Sequence, residues 1–255
     1  LLIALPVAER DTTIEVEGAV SIPYIDMTIE TLERFGVEVM YNEGDYTQFY
    51  VEGGQEFKAI DYTIESDWSA AASIMVAAAI AGEVTINNIS TLSRQADTAV
   101  CRALERAGAS LIIEENSITV AHRPLEAFEF DATQCPDLFP ALVALAAAAE
   151  GVSTITGIKR LRGKESDRGE ALRAEYEKLS IDIELDYDED VMRVVGGTPH
   201  SANVDSHDDH RIAMSLAITA LRIQDEVVIR GRESVAKSYP SFFEDIESLK
   251  SNEGE

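Results

Sequence analysis

Residues 152–179 read VSTITGIKRLRGKESDRGEALRAEYEKL, and this stretch contains the unit from which the chain is built. It begins with a β-type strand, Val152-Ser153-Thr154-Ile155, in which β-branched residues predominate. A charged loop follows, and then a helix in which the apolar residues Leu172, Tyr176 and Leu179 recur at helical spacing. The stretch therefore predicts a strand, a loop and an amphipathic helix in succession.

The same pattern occurs four times along the chain. Its strands are Thr12-Thr13-Ile14-Glu15-Val16, Glu83-Val84-Thr85-Ile86, Val152-Ser153-Thr154-Ile155 and Glu226-Val227-Val228-Ile229. With Val16, Ile86, Ile155 and Ile229 taken as equivalent, the spacings are 70, 69 and 74 residues. The helices predicted after these strands are Tyr24–Phe35, Asp97–Ala107, Ser166–Leu179 and Pro240–Leu249.

A second helix, rich in small residues, precedes each of the last three strands and opens with an acidic residue, namely Asp67, Asp137 or Asp208. At Asp67 we interpret the acid as a helix N-cap. The repeat unit is then β-α-β-α-β-β, about 70 residues long, and it recurs roughly three and a half times. A period of this length predicts an α/β fold of repeated units packed about a common core.

Composition limits the classes of function. At 255 residues the chain is long enough for one or two domains, and its formal net charge of -26 argues against nucleic acid and anionic membranes as partners. No uncharged apolar run is long enough to span a membrane. Two cysteines, Cys101 and Cys135, give no disulfide framework, which fits a reducing cytoplasm. Because the chain lacks an initial Met, we expect a fragment or a processed product.

A cationic segment, residues 159–168, stands out from this acidic background, since it contains five of the 21 Lys and Arg residues. One interpretation is a site for a small phosphorylated anion, in which the carboxylate of Glu165 moves a proton; the other is the solvated start of a surface helix. A nucleotide-binding P-loop does not fit. Five residues separate Gly157 from Gly163 where that motif has four, and Glu165 stands where it requires Ser or Thr.

Five short segments resemble the signature segments of the 5-enolpyruvylshikimate-3-phosphate synthase family. They are Ser21–Asp26, Cys135–Asp137, Lys164–Arg168, Asp209–Arg211 and Ala236–Pro240. They occur in the family's order, and the resemblance covers essentially the whole chain. The resemblance implies an enolpyruvyl transferase-like architecture of two domains, each made of three βαβαββ units and here truncated at the N-terminus. Residues 1–66 would be the residual part of the first substrate-binding domain, and residues 67–255 most of the second.

The resemblance also implies a reaction. The family moves the enolpyruvyl group of phosphoenolpyruvate to the 5-hydroxyl of shikimate 3-phosphate and releases phosphate, a step in the biosynthesis of chorismate and the aromatic amino acids. By resemblance, the protein is a cytoplasmic bacterial enzyme that needs no cofactor or metal. It would be a monomer when complete, and inactive as an isolated fragment.

The resemblance assigns roles to residues of this chain. The substrate-binding residues it implies are Ser21 and Tyr24 for shikimate 3-phosphate, Lys164 near the shikimate phosphate or ring hydroxyls, and Arg168, Arg211 and Lys237 for phosphoenolpyruvate. Lys and Arg suit this work because the two substrates together carry two phosphates and two carboxylates.

The candidate catalytic residues are Asp137 and Glu165. Two carboxylates can divide the proton transfers of an addition and elimination if their environments separate their pKa values. Glu165 is the candidate that delivers the proton to the methylene carbon, and Asp137 is the candidate partner of the 5-hydroxyl. The cations around Glu165 would lower its pKa and favour a base, so which of the two carboxylates is the acid stays open.

Several alternatives remain at this point. Asp137 could be only a helix N-cap, and the run from His207 to His210 looks like a metal cluster but lacks a third ligand group at suitable spacing. We interpret Asp209 and His210 as orienting Arg211. The nearest alternative function is an enolpyruvyl transferase that acts on a UDP-amino sugar, and a different class is a non-catalytic repeat scaffold that binds anions.

Overall fold

The computed structural model describes residues 1–42 and 44–251, and these form two compact units. The first contains Leu1–Glu65 together with Leu92–Ala96, and the second contains Ser66–Thr91 and the described residues from Asp97 onward. The first unit thus ends one residue before the predicted domain boundary and takes in a short segment that the sequence did not predict. The assignment of these units to two domains of a larger enzyme stays a prediction.

The first unit is a small antiparallel sheet covered by one helix. Its elements are β1 (Thr12–Glu15), α1 (Ile22–Arg34), β2 (Met40–Tyr41) and β3 (Gln48–Val51), with strand order β1-β3-β2 and a 3-10 turn at Leu5–Val7. Ile29 and Leu32 of α1 pack into one cluster with Phe49 and Val51 of β3. These apolar residues recur at helical spacing in α1 and alternate in β3, so each element buries one face.

The second unit contains six α-helices among the residues described. They are α2 (Trp68–Ala81), α3 (Val100–Arg106), α4 (Phe139–Ala148), α5 (Arg168–Lys178), α6 (His210–Ala220) and α7 (Phe242–Ser251). Short 3-10 helices cover Ala96–Ala99, Pro136–Leu138, Ile158–Leu161 and Arg232–Lys237.

The strands described in the second unit form three sheets. They are β4 (Glu83–Asn87), β5 (Ser110–Ile113), β6 (Ser117–Ala121), β7 (Glu129–Asp131), β8 (Val152–Thr156), β9 (Ile183–Asp186), β10 (Val191–Val195), β11 (Asn203–Asp205) and β12 (Val228–Arg230). The strand orders are β4-β6-β5, β7-β8-β10-β9 and β11-β12. Strand β7 is parallel to β8 and β11 is parallel to β12, with α4 and α6 as the respective connections, while the other pairs are antiparallel.

The core of the second unit is built by α2, α4 and α6, which pack against one another. Every residue of α4 from Phe139 to Ala147 is buried, and so is most of α2. A helix that is apolar on all sides must be enclosed, and alanine permits close helix packing. The predicted α/β fold of repeated units around a common core is therefore confirmed. Its central layer consists of α2, α4 and α6, the helices that the sequence predicted to open with an acidic residue.

Element boundaries differ from the predictions by a few residues. The predicted helix from Ser166 begins at Arg168, because Asp167 caps it by accepting a hydrogen bond from Glu170 N. The strand predicted from Glu226 begins at Val228. Within the described part of the chain, no helix has both the length and the apolar character needed to cross a membrane.

Candidate functional site

The cationic segment lies between β8 and α5, where the backbone requires two glycines. Gly157 has φ 108°, and a Cβ there would come within 2.9 Å of Thr133 N, so only glycine fits. The 3-10 helix Ile158–Leu161 follows, and Gly163, with φ 77°, turns the chain towards α5. Lys164, Glu165 and Arg168 consequently stand at a loop-to-helix junction, as the repeat predicted.

Arg168 is the centre of the cluster, although only 1% of it is exposed. Its Nε donates to Asp209 Oδ2 at 2.8 Å, Nη1 to Asp137 Oδ1 at 2.7 Å and Nη2 to Glu165 Oε2 at 2.6 Å. Burial alone would lower the pKa of Arg168, but Asp209 and Asp137 outweigh it and hold the pKa above its usual value. The guanidinium thus joins three carboxylates, and its contact with a substrate stays a prediction.

Asp137 lies between three cations. Its carboxylate is 3.3 Å from Lys164 Nζ, 2.7 Å from Arg168 Nη1 and 3.6 Å from Arg211 Nη2. Burial alone would raise the pKa of Asp137, but Arg211, Arg168 and Lys164 together outweigh it and lower the pKa to about 2. Asp137 lies inside the 3-10 helix Pro136–Leu138, whose N-cap is Cys135, while Leu138 is the N-cap of α4, so Asp137 occupies neither cap position. At neutral pH Asp137 is a carboxylate that remains 26% exposed.

Asp209 is the residue that aligns Arg168. It is fully buried, caps α6 by accepting from Arg211 N at 2.9 Å, and also accepts from Ser166 Oγ at 3.2 Å. Asp209 therefore binds only the backbone of Arg211, whose guanidinium instead donates to Asp137 O at 3.3 Å. The cap leaves the second oxygen of Asp209 directed at Arg168, and the interpretation that Asp209 orients Arg211 stays a prediction.

His210 is the first residue of α6 and directly precedes Arg211. Its Nδ1 is buried and, among the residues described, has no hydrogen-bond partner. Burial, and next the charge of Arg211, lower the pKa of His210, so the ring is neutral at neutral pH. No group of three or more His, Cys, Asp or Glu side chains within residues 1–42 and 44–251 is placed to hold a metal ion.

Lys237 is exposed at the end of the 3-10 helix Arg232–Lys237. Its Nζ donates to Asp208 O at 2.5 Å, one residue before the cap of α6. The ammonium is therefore tied to the same loop that supplies Asp209. Ser21 and Tyr24, by contrast, belong to the first unit, where Ser21 has a left-handed φ of 57° and its carbonyl accepts from Tyr24 N at 3.0 Å in the first turn of α1.

Comparisons with known proteins identify the family of the chain. The family model described as EPSP synthase (3-phosphoshikimate 1-carboxyvinyltransferase) matches residues 1–246. The chain belongs to the EPSP synthase family. The family resemblance read from the sequence is therefore confirmed.

Two relatives of the EPSP synthase family illustrate the similarity. Proteins named 3-phosphoshikimate 1-carboxyvinyltransferase from Clostridium perfringens (strain SM101) and Methanosarcina acetivorans are 39% and 40% identical to this chain. Each match covers 98% of this chain and 58% of the relative. The chain thus spans well under two thirds of the length of these proteins.

Solved structures show the same fold. The EPSP synthase from Acinetobacter baumannii superposes with a TM-score of 0.79 at 30% identity, covering 97% of this chain and 58% of that one. The enolpyruvyl transferase NikO from Streptomyces tendae has a TM-score of 0.75 at 21% identity, with coverage of 97% and 57%, which is a likeness of fold alone.

Sequence reasoning missed one buried acid beside the cluster. Asp97 is completely buried, and its Oδ2 accepts a hydrogen bond from Ser69 Oγ. Burial raises the pKa of Asp97 to about 6 against the smaller lowering effects of Ser69 and Arg211. An acid at the start of a predicted helix is indistinguishable from an N-cap in sequence, so only the packing shows that Asp97 points inward.

Proposed function

We propose that this chain is part of an enzyme that transfers the enolpyruvyl group of phosphoenolpyruvate to the 5-hydroxyl of shikimate 3-phosphate and releases phosphate. The observation that supports it best is the ionised carboxylate of Asp137, held between Lys164, Arg168 and Arg211 and still partly exposed. This arrangement, in a member of the EPSP synthase family, combines anion-binding cations with an acceptor for a substrate proton.

The cations would bind the two anionic substrates. Lys164 is 28% exposed and Arg211 14%, and Lys237 lies at the surface, so all three can reach a bound anion. Fixed positive charges offset the repulsion between two substrates that together carry two phosphates and two carboxylates. Arg168, in contrast, is buried, so its main contribution is to hold Asp137 and Glu165 in place.

The two carboxylates would divide the proton transfers. Asp137 accepts the proton of the 5-hydroxyl, whose oxygen forms a bond to C2 of phosphoenolpyruvate as the methylene carbon takes up a proton and becomes a methyl group. Glu165, whose side chain is 38% exposed, is the group we assign to that proton. In the elimination, Glu165 takes back a proton from the methyl group, the bond between C2 and the phosphate oxygen breaks, and phosphate leaves with the electron pair of that bond.

The first unit would contribute to the shikimate 3-phosphate site through Ser21 and Tyr24. In this proposal, residues 1–66 belong to one domain and residues 67–255 to the other, with further anion-binding residues supplied by chain outside the 255 residues. We place the protein in the cytoplasm as a monomer. The net charge of -26 on these 255 residues repels nucleic acid and anionic membranes, which argues against both as partners.

Neither cysteine within these 255 residues fits a transfer to a UDP-amino sugar. An enzyme of that kind would be expected to use a cysteine in a flexible loop. Burial raises the pKa of Cys101 to about 11 and that of Cys135 to about 12, and Cys101 lies within α3. Both thiols are therefore protonated at neutral pH, and neither supplies a reactive thiolate.

The test of the proposed function is phosphate release from phosphoenolpyruvate, measured with and without shikimate 3-phosphate, on the protein extended upstream of Leu1 to its natural start. We expect release that depends on shikimate 3-phosphate. A folded extended protein that releases no phosphate would contradict the proposal, and a UDP-amino sugar would be the next acceptor to test.

The two carboxylates give the sharpest variants. We expect Asp137→Asn and Glu165→Gln each to lower turnover by about 10²-fold or more while the fold stays intact, because each loses a proton-transfer group. The exposed Asp182→Asn and the half-exposed Glu170→Gln on α5 are matched controls that should retain turnover. Unchanged turnover in Asp137→Asn or Glu165→Gln would reject the role of that residue. Unchanged turnover in both variants would favour the non-catalytic anion-binding scaffold.

A further inference from the structure

The loop between β11 and α6 is backbone-strained. His207 has φ 53° and Asp208 has φ 56°, so two successive residues with a Cβ lie in the left-handed region. This region is disfavoured for such residues and persists only where the surroundings impose it. The strain therefore indicates that this loop, residues 206–208, is held in its conformation by its neighbours.

The loop has a bearing on the cations of the candidate site. The carbonyl of Asp208 accepts from Lys237 Nζ, and the following residue, Asp209, accepts from Arg168. A change of φ at His207 or Asp208 would move both acceptors. The positions of Lys237 and Arg168 therefore depend on the loop conformation.

The loop also touches the segment that leads to Lys237. Ser206 Oγ donates to Gly231 O at 2.9 Å, immediately before the 3-10 helix that ends at Lys237. A Cβ at Gly231 would lie 2.4 Å from this hydroxyl, so the two segments are in close contact. Movement of the loop would consequently be transmitted to the backbone that carries Lys237.

Glu175 is the group that holds the other side of the loop. Only 1% of it is exposed, and it accepts from Asp205 N at 2.9 Å and from His207 Nε2 at 2.8 Å. Lys178 Nζ adds contacts of 2.6 and 2.7 Å. Burial alone would raise the pKa of Glu175, but Lys178, Asp205 N and His207 outweigh it and keep the pKa below its usual value.

One face of α5 thus clamps the loop at both ends. Glu175 lies seven residues after Arg168, close to two helical turns, so the two side chains project from the same face. Arg168 binds Asp209 after the loop, and Glu175 binds Asp205 and His207 at its start.

We propose that Glu175 is a positioning residue, whose carboxylate fixes the strained loop 206–208 and thereby places the Lys237 ammonium for the anionic substrate. The inference rests on the proposed function, since Lys237 is assigned there to phosphoenolpyruvate. Glu175 itself touches no substrate. It acts through the loop and the Asp208 carbonyl.

The test is Glu175→Gln in the protein extended to its natural start. Glutamine keeps the size and one acceptor oxygen but cannot accept from His207, Asp205 N and Lys178 together. We expect the KM for phosphoenolpyruvate to rise about tenfold with kcat less affected, because a displaced Lys237 weakens binding more than chemistry. Glu170→Gln, on the same helix and paired only with the exposed Arg173 in the contacts described, should leave both constants unchanged.

A double-mutant cycle separates positioning from general damage. In a Lys237→Ala background, Glu175→Gln should change the KM by less than about twofold, because the group that it positions is absent. Effects that simply add, or a KM for Glu175→Gln equal to that of the wild type, would overturn the inference. If Glu175→Gln fails to fold, the exposed His207 serves instead, with His207→Ala expected to raise the KM and His207→Gln, which keeps a donor, expected to restore it.

Amide hydrogen exchange gives a readout that does not use turnover. Loss of the clamp should speed exchange at Asp205 and His207 in Glu175→Gln. If the wild-type protein releases no phosphate, the proposed function is wrong, and so is the role of Lys237 that depends on it. An active wild type with unchanged exchange and KM in Glu175→Gln would overturn the inference alone.

Discussion

Arg168 illustrates how single residues balance burial against charge. A buried guanidinium is stable only when its donors are satisfied, and here Asp137, Glu165 and Asp209 supply the acceptors. Because Asp209 is fully buried, it stabilises the guanidinium charge more than the partly exposed carboxylates of Asp137 and Glu165 do.

The first prediction at this scale concerns the loss of Asp209. We expect Asp209→Ala to lower the free energy of unfolding by about 3–5 kcal/mol, because it removes a partner of a buried charge as well as a helix cap. Asp67→Ala is the control, since Asp67 caps α2 from an exposed position and should cost only about 1 kcal/mol. Urea unfolding followed by the fluorescence of Trp68, the single and buried tryptophan, measures both, and equal losses would contradict the ion-pair explanation.

The second prediction concerns pH and Asp97. Its folded-state pKa of about 6 lies above the ordinary value of 3.8, so its contribution to stability is present below about pH 4 and is lost as pH rises through 6. A shift of this size corresponds to roughly 3 kcal/mol. Asp97→Asn cannot ionise, so the stability of the variant minus that of the wild type should rise by about that amount between pH 4 and pH 7.

The quantity to compare is the free energy of unfolding of Asp97→Asn minus that of the wild type. Neither value alone suffices, because carboxylates with lowered pKa values change the stability of both proteins with pH in the opposite direction. The low pKa of Asp137, for example, adds stability above its unfolded pKa and loses it as pH falls towards 2. Such groups cancel in the difference. A difference that stays constant from pH 4 to pH 7 would show that Asp97 is not the titrating group.

At the scale of elements, α4 and β10 meet at a point with no room for a side chain. A Cβ on Gly196, just after β10, would lie 1.6 Å from the carbonyl oxygen of Ala149 at the end of α4. The backbone amide of Gly196 also donates to Gly151 O at 2.9 Å, next to β8. The glycine therefore lets the helix end and two strands approach closely.

The third prediction follows from this contact. We expect Gly196→Ala to lower the free energy of unfolding by about 3 kcal/mol, because the backbone of β10 or α4 must shift. The adjacent Gly197→Ala is the matched control, since its Cβ would meet only Ile181 Cδ1 at an ordinary 3.6 Å. Thermal or urea unfolding of the two variants decides the matter, and similar losses at both positions would argue against the close contact.

At the scale of the whole molecule, charge is the dominant feature. A formal net charge of -26 produces mutual repulsion among the many exposed acids, while the cations of the cluster are already paired. The repulsion acts between exposed groups, so added salt screens it. The buried ion pair of Arg168 and Asp209 is screened far less.

The fourth prediction is that salt stabilises this protein. Between about 0.02 M and 1 M NaCl the screening length falls from roughly 20 Å to about 3 Å, so the melting temperature should rise by several degrees. Differential scanning calorimetry measures the change, and choline chloride at equal ionic strength separates screening from binding of sodium. A melting temperature that is constant or falls would indicate that the acidic surface is not under repulsive strain.

The sequence by itself determined the repeat, the elements and the family. Strand and helix periodicity depend on local backbone geometry, so Val152–Thr156 and Arg168–Lys178 were recognisable within a few residues of their bounds. The motif around Lys164 and Arg168 identified the family because its order and spacing are linear properties of the chain. The same information separated Asp137 and Glu165 as candidate proton-transfer groups.

Only the tertiary structure decided which charges meet. Asp137, Arg168 and Asp209 are separated by 31 and 41 residues, and their contacts arise because the first turns of α4, α5 and α6 converge. Sequence reasoning therefore linked Asp209 to its neighbour Arg211 without finding Arg168, and it missed Asp97 and Glu175, which bind Ser69 and His207 at distant positions in the chain. Burial and long-range pairing set pKa values and side-chain direction, and neither is encoded in local periodicity.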